Sequence, residues 1–226
     1  MSGPLRRAVR DLVDRVAGAE PRVVRVLSGA ARGSRLELDL RTEKAYWLGY
    51  YERSVQRILR ENVKAGDVVY DIGAHVGFFS VCAARLGASV YAVEPVAASA
   101  LRLRRNAALN PPGIQVIEAA AWHETGSVEL VPGDWAQQFR TVTGEGVPGL
   151  ALDELAERER PPTLIKLDVE GAEAHVLRGA RRILELDRPI VVCELHGEQE
   201  RREVLELLAG YRIDQLEGPL RIVARP

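Results

Sequence analysis

Val68-Val69-Tyr70-Asp71-Ile72-Gly73-Ala74-His75-Val76-Gly77 decides the fold. It reads as an apolar strand, a glycine-bearing turn and the opening of a helix that continues to Leu86. Gly73 and Gly77 let a backbone approach a ligand closely, and the helix N-terminus behind them favours a carboxylate. The spacing D-x-G-x-x-x-G is not the G-x-G-x-x-G that cradles a dinucleotide. An acid ahead of the turn would repel a pyrophosphate, whereas it suits an ammonium group.

Outward from this unit the same alternation repeats. Ser89–Glu94, Ile114–Glu118, Leu164–Asp168 and Pro189–Leu195 read as further strands, and helices are expected over about 97–109, 172–186 and 198–209. Strands apolar on both faces, alternating with helices, predict a doubly wound, mostly parallel α/β sheet. Tyr211–Gln215 and Leu220–Val223 would complete seven strands. Ahead of the core, apolar residues at helical spacing (Leu5, Val9, Leu12, Val13, Val16) predict a lead-in helix, followed by strands at Arg22–Leu27 and Arg35–Leu40 and a helix over 54–62. Residues 1–62 are read as an N-terminal helical and β extension packed on a core domain of residues 63–226. Pro132–Pro148 is polar and Gly-rich and reads as a long loop. Its Trp135 and Phe139 are expected to touch a second substrate.

Glu94 ends the second core strand, roughly twenty residues beyond the first turn, and is followed by Pro95. A carboxylate there accepts hydrogen bonds from the ribose hydroxyls of an adenosine ligand.

The stretch from Asp71 to Gly77, then Val93-Glu94-Pro95, then Ile165-Lys166-Leu167-Asp168-Val169-Glu170-Gly171-Ala172-Glu173 resemble the FkbM family of methyltransferases. So do Leu48-Gly49-Tyr50-Tyr51-Glu52 and Leu177-Arg178-Gly179-Ala180, and the resemblance covers roughly residues 45–196. It implies a class I, Rossmann-like methyltransferase fold, S-adenosylmethionine as cofactor, and methylation of a hydroxyl on a sugar, natural product or other small molecule. Asp71, Gly73, His75, Gly77, Glu94, Pro95 and Asp168 then fall at the cofactor. By the same analogy Ala119, Ala120 and Ala121 lie against adenine and Glu118 faces its amine, while Trp122 is read as core. His75 stands where the family usually has Asn. That turn calls for a left-handed backbone, which Asn tolerates well and His moderately.

Methyl transfer to oxygen needs an in-line approach and removal of the hydroxyl proton. Asp168 and Glu170 end one core strand, and Glu194 and His196 end its neighbour, where alternation puts the last two on one side. Two mechanisms fit these residues. His196 or Asp168 acts as general base, or Asp168 and Glu194 hold a divalent cation that acidifies the hydroxyl, as in the catechol O-methyltransferases. The first is preferred. Lys166 is expected to pair with a carboxylate, with Glu173 as its partner or as a helix-dipole acid. His123 and His175 have no partner recognisable from sequence. Tyr51 and Glu52 are candidates to close over the acceptor.

Composition narrows the choice of function. The net charge is -1 and no basic run occurs, so nucleic acid is not an expected partner. Cys82 and Cys193 sit in apolar runs and read as buried thiols. The charged N-terminal turns do not resemble a signal peptide, no apolar run approaches a membrane span, and a cytoplasmic protein is expected. N-methylation of nucleic acid or protein remains a second reading, but Asp168-Val169-Glu170-Gly171 stands where DNA amine methylases carry Asn-Pro-Pro-aromatic. A fold of this class also accommodates an NAD-binding oxidoreductase or a non-catalytic cofactor-binding module. The Asp71 spacing speaks against the first, and the full set of site acids against the second.

Overall fold

A computed structural model describes residues 20–132, 139–218 and 220–226. The expected lead-in helix over 5–17 and Trp135 lie outside the described residues, as does the side chain of Phe139. A short antiparallel hairpin, β1 (Arg22–Arg25) with β2 (Arg35–Leu38), comes first. The core then runs β3 (Val68–Ile72), β4 (Ser89–Val93) and β5 (Ile114–Ile117). An outlying group follows: β6 (Ala120–Ala121), β7 (Gly126–Pro132), β8 (Phe139–Thr143) and β9 (Val147–Leu150). Finally β10 (Leu164–Leu167), β11 (Ile190–Glu194), β12 (Arg212–Gln215) and β13 (Arg221–Arg225) complete the main sheet.

That sheet has seven strands in the order β12-β13-β11-β10-β3-β4-β5. From β11 to β5 every pairing is parallel, and β13 and β12 add an antiparallel edge. The chain builds outward from β3 to β5, then returns to the other side of β3 with β10. The strand order therefore reverses between β3 and β10, and ligands in such sheets bind beyond the carboxyl ends at that switch point.

Successive strand residues point to opposite faces, and each face carries its own buried cluster. Val69, Val90, Leu164 and Val192 pack on one side with Leu36, Leu38, Val55, Leu59, Phe78, Val81 and Leu103. Tyr70, Ile72, Ile165, Leu167 and Cys193 pack on the other with Leu152, Leu177 and Ile183. Each of these large side chains, withdrawn from water, stabilises the fold by roughly 1.5–3 kcal/mol. The β1–β2 hairpin thus contributes to the same core as the helices Phe78–Arg85 and Ala97–Ala108. A polar tie reinforces the contact. Buried Asn106 donates through Nδ2 to the Val76 carbonyl at 2.8 Å and accepts the Glu37 amide at 2.6 Å. Arg102 forks onto Glu43 at 2.6 and 2.8 Å.

Three features depart from what the sequence predicts. Pro132–Pro148 is not a structureless loop: its ends belong to a second sheet, ordered β6-β9-β7-β8. Among the described residues that sheet covers only a small cluster of Ala120, Trp122, Val128 and Ala172, so its strands carry no core-strand signature. The helix expected over 172–186 is two pieces, Glu173–Arg178 and a π-helical turn at Ile183–Asp187. Short helices also form at Lys44–Leu48 and Leu152–Arg158, where the sequence shows no clear helical period. Among the described residues no helix is long and apolar enough to cross a membrane, and Cys82 and Cys193 are buried free thiols.

Candidate active site

The turn after β3 is shaped by backbone contacts. Gly73 and Ala74 both donate to the Val93 carbonyl, at 3.0 and 3.1 Å, which presses the turn against the end of β4. A Cβ on Gly73 would stand 1.8 Å from the Asp168 carbonyl oxygen, so only glycine lets the two strand ends meet. His75 follows at φ 50°, the left-handed conformation expected for that position. Gly77 opens the helix at φ 86°, and a Cβ there would lie 2.2 Å from Leu103 Cδ1. Its glycine therefore serves helix packing, and Gly77 does not line the cavity.

Glu94 is buried and held from both sides. His75 donates its amide to Oε2 at 2.8 Å and Val96 donates to Oε1 at 3.0 Å. Burial raises its pKa, and the two amides and the Lys166 charge work against that rise. A carboxylate offers about four acceptor sites. Two are used here, which leaves one on each oxygen for a ligand.

A cavity of about 280 Å³ lies over these strand ends, lined by Gly73, His75, Glu94 and Pro95 together with Ala120, Ala121, Asp168, Val169 and Glu170. Tyr46, Tyr51 and Thr141 also line it. The volume is at the small end of the usual range for small-molecule pockets, roughly 300–1,000 Å³. Ala120 and Ala121 are small enough to leave room for a flat ring. Glu118 is turned away, pairing with Arg104 at 2.8 Å in a half-exposed position. Trp122 is buried and stacks on His175 at 4.1 Å and 8°. His175 in turn meets His123, Nδ1 to Nδ1, at 3.2 Å, so both histidines have partners the sequence did not reveal.

Asp71 lies beneath the turn and does not reach the cavity wall. Its Oδ2 accepts the Ser80 hydroxyl at 2.6 Å, and Lys166 Nζ stands 3.7 Å from Oδ1. The register explains the pair, since Lys166 sits directly beside Asp71 on adjacent parallel strands. Lys166 also donates to the Gly73 carbonyl at 3.1 Å and approaches Asp168 Oδ2 at 3.4 Å. Its partners are thus Asp71 and Asp168, and the Glu173 pairing expected from sequence is not made. Burial lowers the Lys166 pKa, but the fields of Asp168, Asp71 and Glu52 outweigh it and the ammonium is retained.

Glu194 and His196 do not act on a common group. Arg221 Nη2 bridges Glu194 at 2.8 Å and Glu52 at 2.9 Å. His196 instead directs Nε2 toward Glu170 at 3.3 Å and Asp168 at 4.0 Å, with Nδ1 on Glu173 at 2.9 Å. Burial alone would lower its pKa; the hydrogen bond to Glu173 and the fields of Glu173, Asp168 and Glu170 push it up to about 9. Among the described residues two groups could supply three ligands to a cation, Asp168 with Glu170 and His196, and Glu52 with Asp168 and Glu194. In the second group the Arg221 guanidinium bridges both glutamates and offsets one of their two charges.

Backbone strain gathers at this place. Glu52, His75 and Glu170 adopt φ values of 41°, 50° and 57°. His75 and Glu170 are on the cavity wall, and Glu52 follows Tyr51, which also lines it. Non-glycine residues hold such conformations only where their surroundings over-determine them, typically at binding sites.

Residues 71–213 match the family model described as the methyltransferase FkbM domain. The hexuronic acid methyltransferase AglP of Haloferax volcanii is 30% identical over 168 residues, which is 72% of this chain and 70% of that protein. Among solved structures, a methyltransferase FkbM from Methylobacillus flagellatus KT superposes with a TM-score of 0.56 at 22% identity, covering 78% of this chain. This chain spans only 46% of that structure's length. Precorrin-6y C5,15-methyltransferase from Geobacter metallireducens GS-15 gives a TM-score of 0.52 at 14% identity, covering 77% of this chain and 89% of that one. These structural likenesses identify a class I methyltransferase fold.

Proposed function

The chain belongs to the FkbM family of S-adenosylmethionine-dependent methyltransferases, and from that premise we propose that it methylates a hydroxyl oxygen of a sugar or sugar-bearing small molecule. The observation that carries the reading is one cavity lined by acids from the two strands that flank β3: Glu94, fixed by two backbone amides after β4, and Asp168 with Glu170 after β10. The donor set fits the cofactor: Glu94 keeps an acceptor site on each oxygen for the two ribose hydroxyls, and Ala120 and Ala121 leave room for adenine. The glycine turn and His75 then meet the amino-acid portion, while Asp71 supports the turn from below through Lys166.

The cofactor supplies an electrophilic methyl group. Everything else falls to the chain. Tyr46, Tyr51 and Thr141 enclose the cavity, and Asp168 receives the acceptor hydroxyl and takes its proton as transfer proceeds. The hydrogen bond to Glu173 and the surrounding acids push the His196 pKa up to about 9, so the ring is read as a cationic donor and Asp168 as the base. The ring donates toward Glu170 and Asp168 and holds them in place. Glu194 supports the wall through Arg221 and Glu52. This scheme routes no step through a metal; Lys166, Arg221 and His196 lie among the same acids and offset part of their charge.

The sugar acceptor is inferred from the named activity of the 30%-identical relative, and the acidic, partly aromatic cavity lining agrees with it. The test is methyl transfer from labelled S-adenosylmethionine to a panel of hexoses, hexuronic acids and their glycosides, with peptides and RNA alongside. The expected product carries its methyl on a ring hydroxyl oxygen. A methyl found on nitrogen or on a carboxylate would overturn the assignment.

A further inference from the structure

We propose that Glu173 is the positioning residue of this site, a buried clamp that ties His196 to the strained Val169–Gly171 turn and so aims Asp168 and Glu170 into the cavity. One atom makes all of its contacts. Oε1 of Glu173 accepts the amides of Val169 at 3.1 Å and Gly171 at 3.2 Å, together with His196 Nδ1 at 2.9 Å. The other oxygen, Oε2, is buried with no hydrogen-bond partner, although the side chain is 0% exposed. A glutamate present only to satisfy local amides would share them between its oxygens. Here three donors from two separate segments converge on one, and an unsatisfied buried oxygen is tolerated to keep them there.

Two geometric consequences follow. Nδ1 of His196 must carry a hydrogen to be held by a carboxylate, so the ring presents Nε2 to Glu170 and Asp168. The turn that follows Asp168 contains Glu170 at φ 57° and Gly171 at φ 98°, and the Val169 and Gly171 amides end on Glu173. Side chain and backbone are thus fixed from the same point. The groups facing the His196 ring are Asp168 and Glu170 from the end of β10 and Glu173 from the next helix. Glu200, which accepts the Ala174 amide at 2.5 Å, approaches Glu173 from behind. The clamp takes its importance from the reading of Asp168 as the acceptor-side base, and rests on it to that extent.

The experiment is NMR titration of the His196 ring nitrogens in the wild-type protein and in Glu173→Gln, with calorimetric titration of S-adenosylhomocysteine into both. In the wild type the ring should titrate near pH 9. In Glu173→Gln, which keeps the shape and removes the charge, its pKa should fall by at least one unit, a tenfold change in proton affinity. A His196 that titrates identically in both proteins overturns the clamp and leaves the proposed function standing. Should the variant fail to fold, the wild type still decides, because ring nitrogen shifts showing no hydrogen on Nδ1 at neutral pH also overturn it. A wild type that does not bind S-adenosylhomocysteine refutes the functional reading but not the clamp.

Discussion

Replacing Gly73 by alanine puts a methyl group 1.8 Å from the Asp168 carbonyl oxygen and 2.8 Å from its carbonyl carbon. Both obstacles are backbone, so neither can rotate away. Two costs add. The residue sits at φ 75°, which disfavours any Cβ-bearing residue by about 1–2 kcal/mol. Forcing the ends of β3 and β10 apart costs a further ~1–3 kcal/mol, the usual range for overpacking. Gly33 separates these terms, for it has φ 86° but nothing within 4 Å of an added Cβ. Urea unfolding should show Gly33→Ala losing about 1–2 kcal/mol from conformation alone, and Gly73→Ala losing roughly 2–5 kcal/mol from both sources. Because Gly73 and Asp168 wall one cavity, Gly73→Ala should also weaken S-adenosylhomocysteine in calorimetry while Gly33→Ala leaves it unchanged. Equal losses of stability in the two variants, with ligand affinity intact in both, would refute the claim that the turn is built on this close approach.

Glu94→Gln should weaken S-adenosylhomocysteine by roughly 10- to 100-fold, the loss of about 1.5–3 kcal/mol of charge-assisted hydrogen bonding; calorimetry reads it directly, and an unchanged affinity would remove Glu94 from the ribose site. His196 has its folded pKa raised from 6.5 to about 9, so its contribution to stability is complete below pH 6.5 and is lost as pH rises through 9. Melting temperatures measured between pH 6 and 10 should therefore decline by a few degrees more in the wild type than in His196→Gln, and parallel curves would contradict the ion-pair cluster. Arg221→Ala leaves Glu194 and the nearly buried Glu52 without their counter-ion and should cost about 2–4 kcal/mol. Adding Glu52→Gln should recover part of that loss in a double-mutant cycle, whereas strictly additive effects would mean the pair is not coupled.

The core of this protein is legible in sequence because its signals are local. The strand at Val68–Ile72, the turn at Gly73 and the helix behind it are adjacent in the chain, and only one backbone geometry suits that order of residues. The parallel strands announce themselves by being apolar on both faces, and Glu94 and Asp168 are marked as strand-end acids. The second sheet is less legible. Among the described residues of its strands β7 and β9, little more than Val128 and Leu150 is buried, so burial writes no clear period into their sequence. The proximity of Gly73 to Asp168 is likewise set by packing of strand ends, and no local pattern records it.

Partner choice at the site belongs to the tertiary structure. Glu194 and His196 are two residues apart on one strand end, which suggests a shared role, yet folding gives them different neighbours. Glu194 meets Arg221 and, through it, Glu52, which lies 169 residues from that arginine. His196 meets Glu173, 23 residues earlier, and Glu173 is thereby withheld from Lys166. Histidine, glutamate and lysine are the same titratable groups wherever they occur in a sequence. Their proton affinity and their function depend on burial and on distances of roughly 3–4 Å, and those exist only once the strands have been brought together.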